Sequence, residues 1–177
     1  MPLFIADVAH EFRRYKKDAD RALAGLSDAD YRRRVGDAVN PVGIIVKHLG
    51  GNLRSRWADF LTTDGEKPTR DRDGEFVLTD ADTRESLTAI WEAGWSALFE
   101  TLAEITDADL DKLVTIRGEP HRVQQALFRG LGHAAYHVGQ IMYLARLMNP
   151  TAEYATIAPG KSKEHAAGYL KKAEGKS

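Results

Sequence analysis

Apolar residues recur at alternating steps of three and four through four separate stretches of this chain, a period that buries one face of an α-helix. In the first stretch the stripe is Val8, Phe12, Tyr15, Ala19, Ala22 and Leu26, which predicts a helix from about Leu3 to Gly25. A second helix is expected from Asn40-Pro41, where an amide side chain caps the end and a proline fills the first turn, in which its missing N–H costs nothing. Its stripe is Ile45, Leu49, Leu53, Trp57 and Phe60. The third is expected to start between Asp80 and Thr83, to carry Leu87, Trp91, Leu98, Leu102 and Ile105 with Trp95 beside them, and to end around Thr106. The last long helix is expected to start near Pro120. It carries Val123, Leu127, Leu131, Ala134, Val138, Ile141, Ala145 and Met148, and Asn149-Pro150 stops it. Four long amphipathic helices without a credible strand predict an all-α four-helix bundle over residues 1–150. Residues 151–177 read as a tail, partly helical from Lys163 to Lys172.

Twenty-five basic side chains nearly balance twenty-six acidic ones. No long-range field therefore draws the protein to phosphate backbones or anionic lipid, and nucleic acid is not an expected partner. No stretch approaches the ~20 apolar residues that span a bilayer, and the amino terminus does not read as a signal peptide, so a cytoplasmic location is expected. The absence of cysteine removes disulfides, thiolate ligands and a cysteine nucleophile together, leaving nitrogen and oxygen to hold any metal.

Two strings resemble each other: Leu23-Ala-Gly-Leu-Ser-Asp-Ala-Asp-Tyr-Arg-Arg-Arg-Val35 and Leu102-Ala-Glu-Ile-Thr-Asp-Ala-Asp-Leu-Asp-Lys-Leu-Val114. In each, Ser27 or Thr106 stands three residues before Asp30 or Asp109, a capping-box variant that starts a short helix. Two related helical hairpins, or ordinary helix punctuation, would both produce this. The polar segment from Thr62 to Phe76, within a loop of residues 62–80, exceeds a minimal bundle connection. It reads first as a solvated connector, with a cover over a site as the alternative.

The sharpest local signal is His133-Ala-Ala-Tyr-His137, because residues four apart stand on one helical face, close enough for two imidazoles to share one ion. Two core histidines bonded to backbone or side-chain acceptors would give the same spacing. Ala134 occupies the position where a zincin requires its glutamate, which disfavours peptidase chemistry. The inward Glu-x-x-His pairs of di-iron bundles are missing as well. His48, set among Ile44, Ile45, Val46 and Leu49, is the best third ligand. His10 falls on the polar face of the first helix, His121 at a helix start and His165 in the tail. Asn52, one turn after His48, and Gln140, three residues after His137, are candidates to orient a ligand or a water. Arg129, one turn before His133, is a candidate to attract an anionic substrate.

Lys47-His-Leu-Gly-Gly-Asn52 together with Gly132-His-Ala-Ala-Tyr-His-Val-Gly-Gln140 resembles the DinB/YfiT-like metalloenzyme superfamily over nearly the whole chain. Arg54-Ser-Arg-Trp57, Phe60-Leu-Thr-Thr-Asp-Gly-Glu-Lys-Pro68, Ile116-Arg-Gly-Glu-Pro-His121 and Ala158-Pro-Gly-Lys-Ser162 resemble a subgroup of undefined function within it. The resemblance implies an up-down bundle, a zinc, nickel or iron ion on His48, His133 and His137, and homodimers. Some relatives are similar to transferases or isomerases that use a low-molecular-weight thiol.

Three imidazoles leave a coordination position open, the ligand count of a catalytic centre. The leading expectation is an ion that lowers the pKa of a thiol or water and presents the anion to a small-molecule electrophile. The rivals are a non-catalytic, metal-stabilised, metal-sensing or stress-related dimer, and a metal-free bundle. Pro159-Gly-Lys-Ser162 is not a phosphate loop, since Ala155 stands where its first glycine belongs. No Gly-x-Ser-x-Gly elbow occurs.

Overall fold

The computed structural model describes residues 3–150, 157 and 160–174, the last six without their side chains. Its four long helices are α1 (Phe4–Ala24), α3 (Val42–Trp57), α4 (Arg84–Glu104) and α5 (Val123–Met148), with a short α2 (Asp28–Arg32) and a terminal α6 (Ser162–Glu174). Helix α6 falls where a partly helical tail is expected. Ala158 and Pro159 of the Ala158–Ser162 string, and residues 151–156 of the tail, lie outside the described residues. The predicted stripes are the core: Phe12, Leu49, Leu53, Trp57, Leu87, Trp91, Trp95, Leu98, Leu127 and Ile141 are essentially inaccessible. Phe12 meets Trp57 and Trp95 edge-on at 6.2 and 6.4 Å, a geometry that adds ~0.5–1.5 kcal/mol per pair beyond area burial.

Helix α1 packs on α4 and α5, and α3 packs on the same two helices from the other side. Phe4 meets Phe128 at one end of α1, and Asn149 donates to the Gly25 carbonyl at the other, so α1 and α5 run parallel. Gly43 lies against Leu87, Gly50 against Ile90, and Thr101 Oγ1 donates to the Trp57 carbonyl, so α3 and α4 are parallel too. The order is therefore up, down, down, up, not the strict alternation of an up-down bundle. Two parallel neighbours require a connection that travels back along a helix of ~24 Å, and residues 58–83 make that return. The long polar segment is a structural crossover.

Three local expectations shift. Pro41, with extended ψ 159°, is the capping residue of α3 and has no side-chain bond to offer, while Asn40 stays outside the helix. That helix stops at Trp57, because Asp59 turns left-handed at φ 51°. Phe60 continues the apolar stripe by packing tilted against Trp57 rather than by staying helical.

The segment around Pro120 is not a helix start but half of a β-hairpin: β1 (Leu113–Ile116) pairs antiparallel with β2 (Glu119–Arg122). Its burial alternates in β1, with Val114 and Ile116 inward. Arg117 and Gly118, at φ 56° and 75°, supply the two positive angles that a two-residue hairpin turn demands. Pro120 is tolerated because a two-stranded ribbon has only edge strands.

Both capping boxes form. Asp30 accepts from the Ser27 N–H and hydroxyl, and Asp109 accepts from those of Thr106. Between them Asp107 does a different job: its carboxylate accepts from the Phe4 and Ile5 N–H groups at 3.1 and 2.9 Å. It thus caps α1, whose own first residues offer no capping side chain.

Candidate metal centre

On α3, four-residue steps align His48, Asn52 and Arg56 on one face, and on α5 the same step aligns Arg129, His133 and His137. The antiparallel crossing of these helices brings the two rows together. The potential ligand atoms of His48, His133 and His137 all lie within 4.8 Å of one another, and the Nε2 atoms of His133 and His137 are 3.1 Å apart. Ligands on an ion bound at ~2.0–2.1 Å need spacings of that order. His48 is buried, and the other two are partly buried.

What orients the rings decides which nitrogen faces inward. His48 Nδ1 is 2.9 Å from a carboxylate oxygen of Glu75, which accepts its proton and leaves the lone pair on Nε2. His137 Nδ1 stands in the same relation to Gln140 Oε1, also at 2.9 Å. Glu75 is in turn held by Arg70, at 2.7 Å from each of two guanidinium nitrogens. Burial pushes the Glu75 carboxyl up, but hydrogen bonds from Arg70 and His48 outweigh it and hold it below the usual range.

The two α5 imidazoles, His133 and His137, stay neutral. Burial first, then His137, His48, Arg56 and Arg70, pushes His133 down to about 3. Burial likewise brings His137 down to about 4, against the opposing bond to Gln140. Neutral rings keep the lone pairs that a metal requires, so the donor set fits a divalent ion.

A cavity of about 210 Å³ opens directly on His48 and His133, and Asn52 and Arg129 line it. Of the three supporting candidates, Gln140 bonds to His137, whereas Asn52 and Arg129 line the space beside the histidines. His10 is exposed on α1, as expected. His121 belongs to β2, not to a helix start, and its Nε2 lies 3.4 Å from Arg129. His165 lies in α6.

Glu75, Arg70, Arg56, Arg72 and Arg117 escaped sequence reasoning. Glu75 sits in a 3-10 turn (Gly74–Phe76) of the crossover, which folds onto α3, and Phe76 packs on the His48 ring at 4.7 Å. The crossover is a cover over the site as well as a connector. Arg56 alone had a readable signal, its place two turns after His48 on a face otherwise inward.

The architecture and site define a helical-bundle protein with three histidines gathered into a centre able to hold a metal ion. The chain belongs to the DUF1572 family, described as proteins of unknown function, whose pattern matches residues 2–162. It is similar to a crystal structure described as a conserved protein from Enterococcus faecalis, with a TM-score of 0.61 at 15% identity over 83% of this chain and 98% of that one. That likeness is one of fold. No curated protein matches. Among the described residues, no helix is long and apolar enough to cross a membrane.

Proposed function

We propose that the protein is a mononuclear metal-dependent enzyme of the DinB/YfiT-like kind, acting on a small molecule with a low-molecular-weight thiol or water as nucleophile. The observation that carries this reading is the convergence of three imidazoles, two of them fixed through Nδ1 by Glu75 and Gln140, with His48 and His133 on the wall of a cavity. A zinc, nickel or iron ion held there would supply Lewis-acid lowering of the nucleophile's pKa. The chain's own contribution is orientation and access. Glu75 and Gln140 fix the ring tautomers, Phe76 shields His48, and Asn52, whose side chain has no hydrogen-bond partner among the described residues, is free to position a ligand in the cavity.

Elemental analysis of protein purified without added metal tests the first step. About one ion per chain is expected, with severe loss in both His48→Ala and His133→Ala. A stoichiometry near zero that zinc, nickel and iron all fail to raise would sink the proposal. Full affinity in His48→Ala would break the triad. Turnover in a screen of thiols against electrophiles then separates an enzyme from a metal-stabilised dimer.

A homodimer completes this reading. Phe128, Gly132, Tyr136, Gly139, Tyr143 and Leu147 form an uncharged exposed stripe along α5, with Tyr136 and Tyr143 62% and 68% accessible. Nothing lies within 4 Å of where a side chain would start at Gly132 or Gly139. Glycine inside a helix costs ~1 kcal/mol relative to alanine, and no contact with the described residues accounts for it. Close approach of a second α5 does.

A further inference from the structure

The cavity beside the histidines is a concentration of positive charge. Arg56, Arg72, Arg117 and Arg129 line it, and no carboxylate does. Arg56 is only 7% exposed, forms no hydrogen bond or ion pair with the described residues, and has a fully buried Nη1 without an acceptor. Among the described residues Arg72 has only the face of Phe76, and Arg129 only the His121 ring. The nearby carboxylates are already engaged: Glu66 with Arg70 and Arg117, and Glu75 with Arg70 and His48. A buried, unpaired guanidinium is costly to a fold. Burial, and then Arg129, Arg117 and Arg70, bring Arg56 down to about 10, still charged at neutral pH.

Arg117 adds a second sign. It occupies the first left-handed position of the hairpin turn at φ 56°, where asparagine is the residue of low strain and arginine is not. The turn is nevertheless fixed, because Asp64 accepts from the Arg117, Gly118 and Glu66 N–H groups at 2.7–2.8 Å. The strain places a guanidinium on the cavity wall. The chain as a whole carries a formal charge of −1, so this cluster is local and does not belong to a basic surface.

We propose that the arginine-lined cavity is an oxyanion subsite, and that the substrate is a compact molecule whose carboxylate or phosphate group Arg56 and Arg129 bind while its reactive end faces the histidines. The substrate assignment rests on the metal-dependent reading above; the subsite itself stands on the unpaired arginines. A divalent ion held on the histidines would deepen the positive excess and strengthen the demand for an anion.

The test titrates full-length protein, metal-free and zinc-loaded, with inorganic phosphate and with malonate at constant ionic strength, by calorimetry and thermal unfolding. Saturable binding of either anion, with a raised unfolding midpoint, is expected, and the stronger response assigns the group. Arg56→Met should lose at least about tenfold in anion affinity, the worth of one charge-assisted bond, while its anion-free midpoint holds or rises. Arg117→Asn should likewise relieve the turn yet weaken the anion, a combination that a purely structural arginine would not give. Should Arg56→Met fail to fold, the Arg72→Gln/Arg129→Gln double variant, altered at exposed positions, serves in its place. No saturable response in the natural protein, or undiminished affinity in the double variant, overturns the subsite. Metal content measured on the same samples keeps the readings apart: metal without anion binding defeats this inference alone, whereas anion binding without metal defeats the metal-dependent enzyme and leaves the subsite standing.

Discussion

Glu75 accepts the Nδ1 proton of His48 and is itself gripped by Arg70, so a crossover carboxylate orients a helix histidine. Such outer partners are typically worth ~10–100-fold in metal affinity. Glu75→Gln keeps an acceptor for His48 but removes the charge, leaving Arg70, whose side chain is only 4% exposed, with Glu66 as its remaining anionic partner among the described residues. Competition against a chelator should show affinity reduced in that range, and an unchanged value would mean that Glu75 only packs. His133 and His137 also set a pH dependence. Their folded pKa values lie below 6.5, so between about 6.5 and 4 the unfolded chain binds more protons and stability falls with falling pH. Metal-free protein should therefore lose thermal stability across that window. The His133→Ala/His137→Ala variant should show a flatter slope, and an equal slope would assign the loss to carboxylates instead.

Among the elements, α3 and α4 approach most closely at Gly50, where a methyl group would sit 2.7 Å from the Ile90 carbonyl oxygen. Gly50→Ala should destabilise the fold by ~1–3 kcal/mol in denaturant unfolding, as overpacking outweighs the better helix propensity of alanine. A more stable variant would show that the helices separate freely. The long helices were legible because each buries one stripe over many turns, and His133 and His137 because one helix fixes their separation. His48 had no spacing to recommend it, only its apolar neighbours and a family resemblance. The hairpin was missed because four-residue strands are too short to establish a period, and Pro120-His121 resembled a helix start. Glu75 was illegible for another reason: amid the charges of the crossover, only the docking of Gly74–Phe76 on α3 distinguishes it.

At the scale of the whole molecule, parallel α3 and α4 oblige the chain to cross the bundle, and the crossover then does three things at once. It supplies Glu75, shields His48 with Phe76, and uses Asp64 to fasten the hairpin that carries Arg117. The α5 stripe gives the molecule an exposed apolar face. Sedimentation velocity should find a dimer that Tyr143→Lys dissociates without altering metal content, since Tyr143 lies outside the ligand set. A monomeric natural protein would refute the dimer.

The return of residues 58–83 along the bundle has a kinetic consequence. His48, Glu75 and the His133–His137 pair come from three distant stretches of chain, and contacts so far apart form slowly because long loops must close before any reward is collected. A helical hairpin formed early has two imidazoles at most. The third histidine and its carboxylate partner are expected to arrive only after the crossover has docked and α3 lies beside α5. Metal uptake during refolding should accordingly track the last phase, making the ion a reporter of completed topology rather than a nucleus for it.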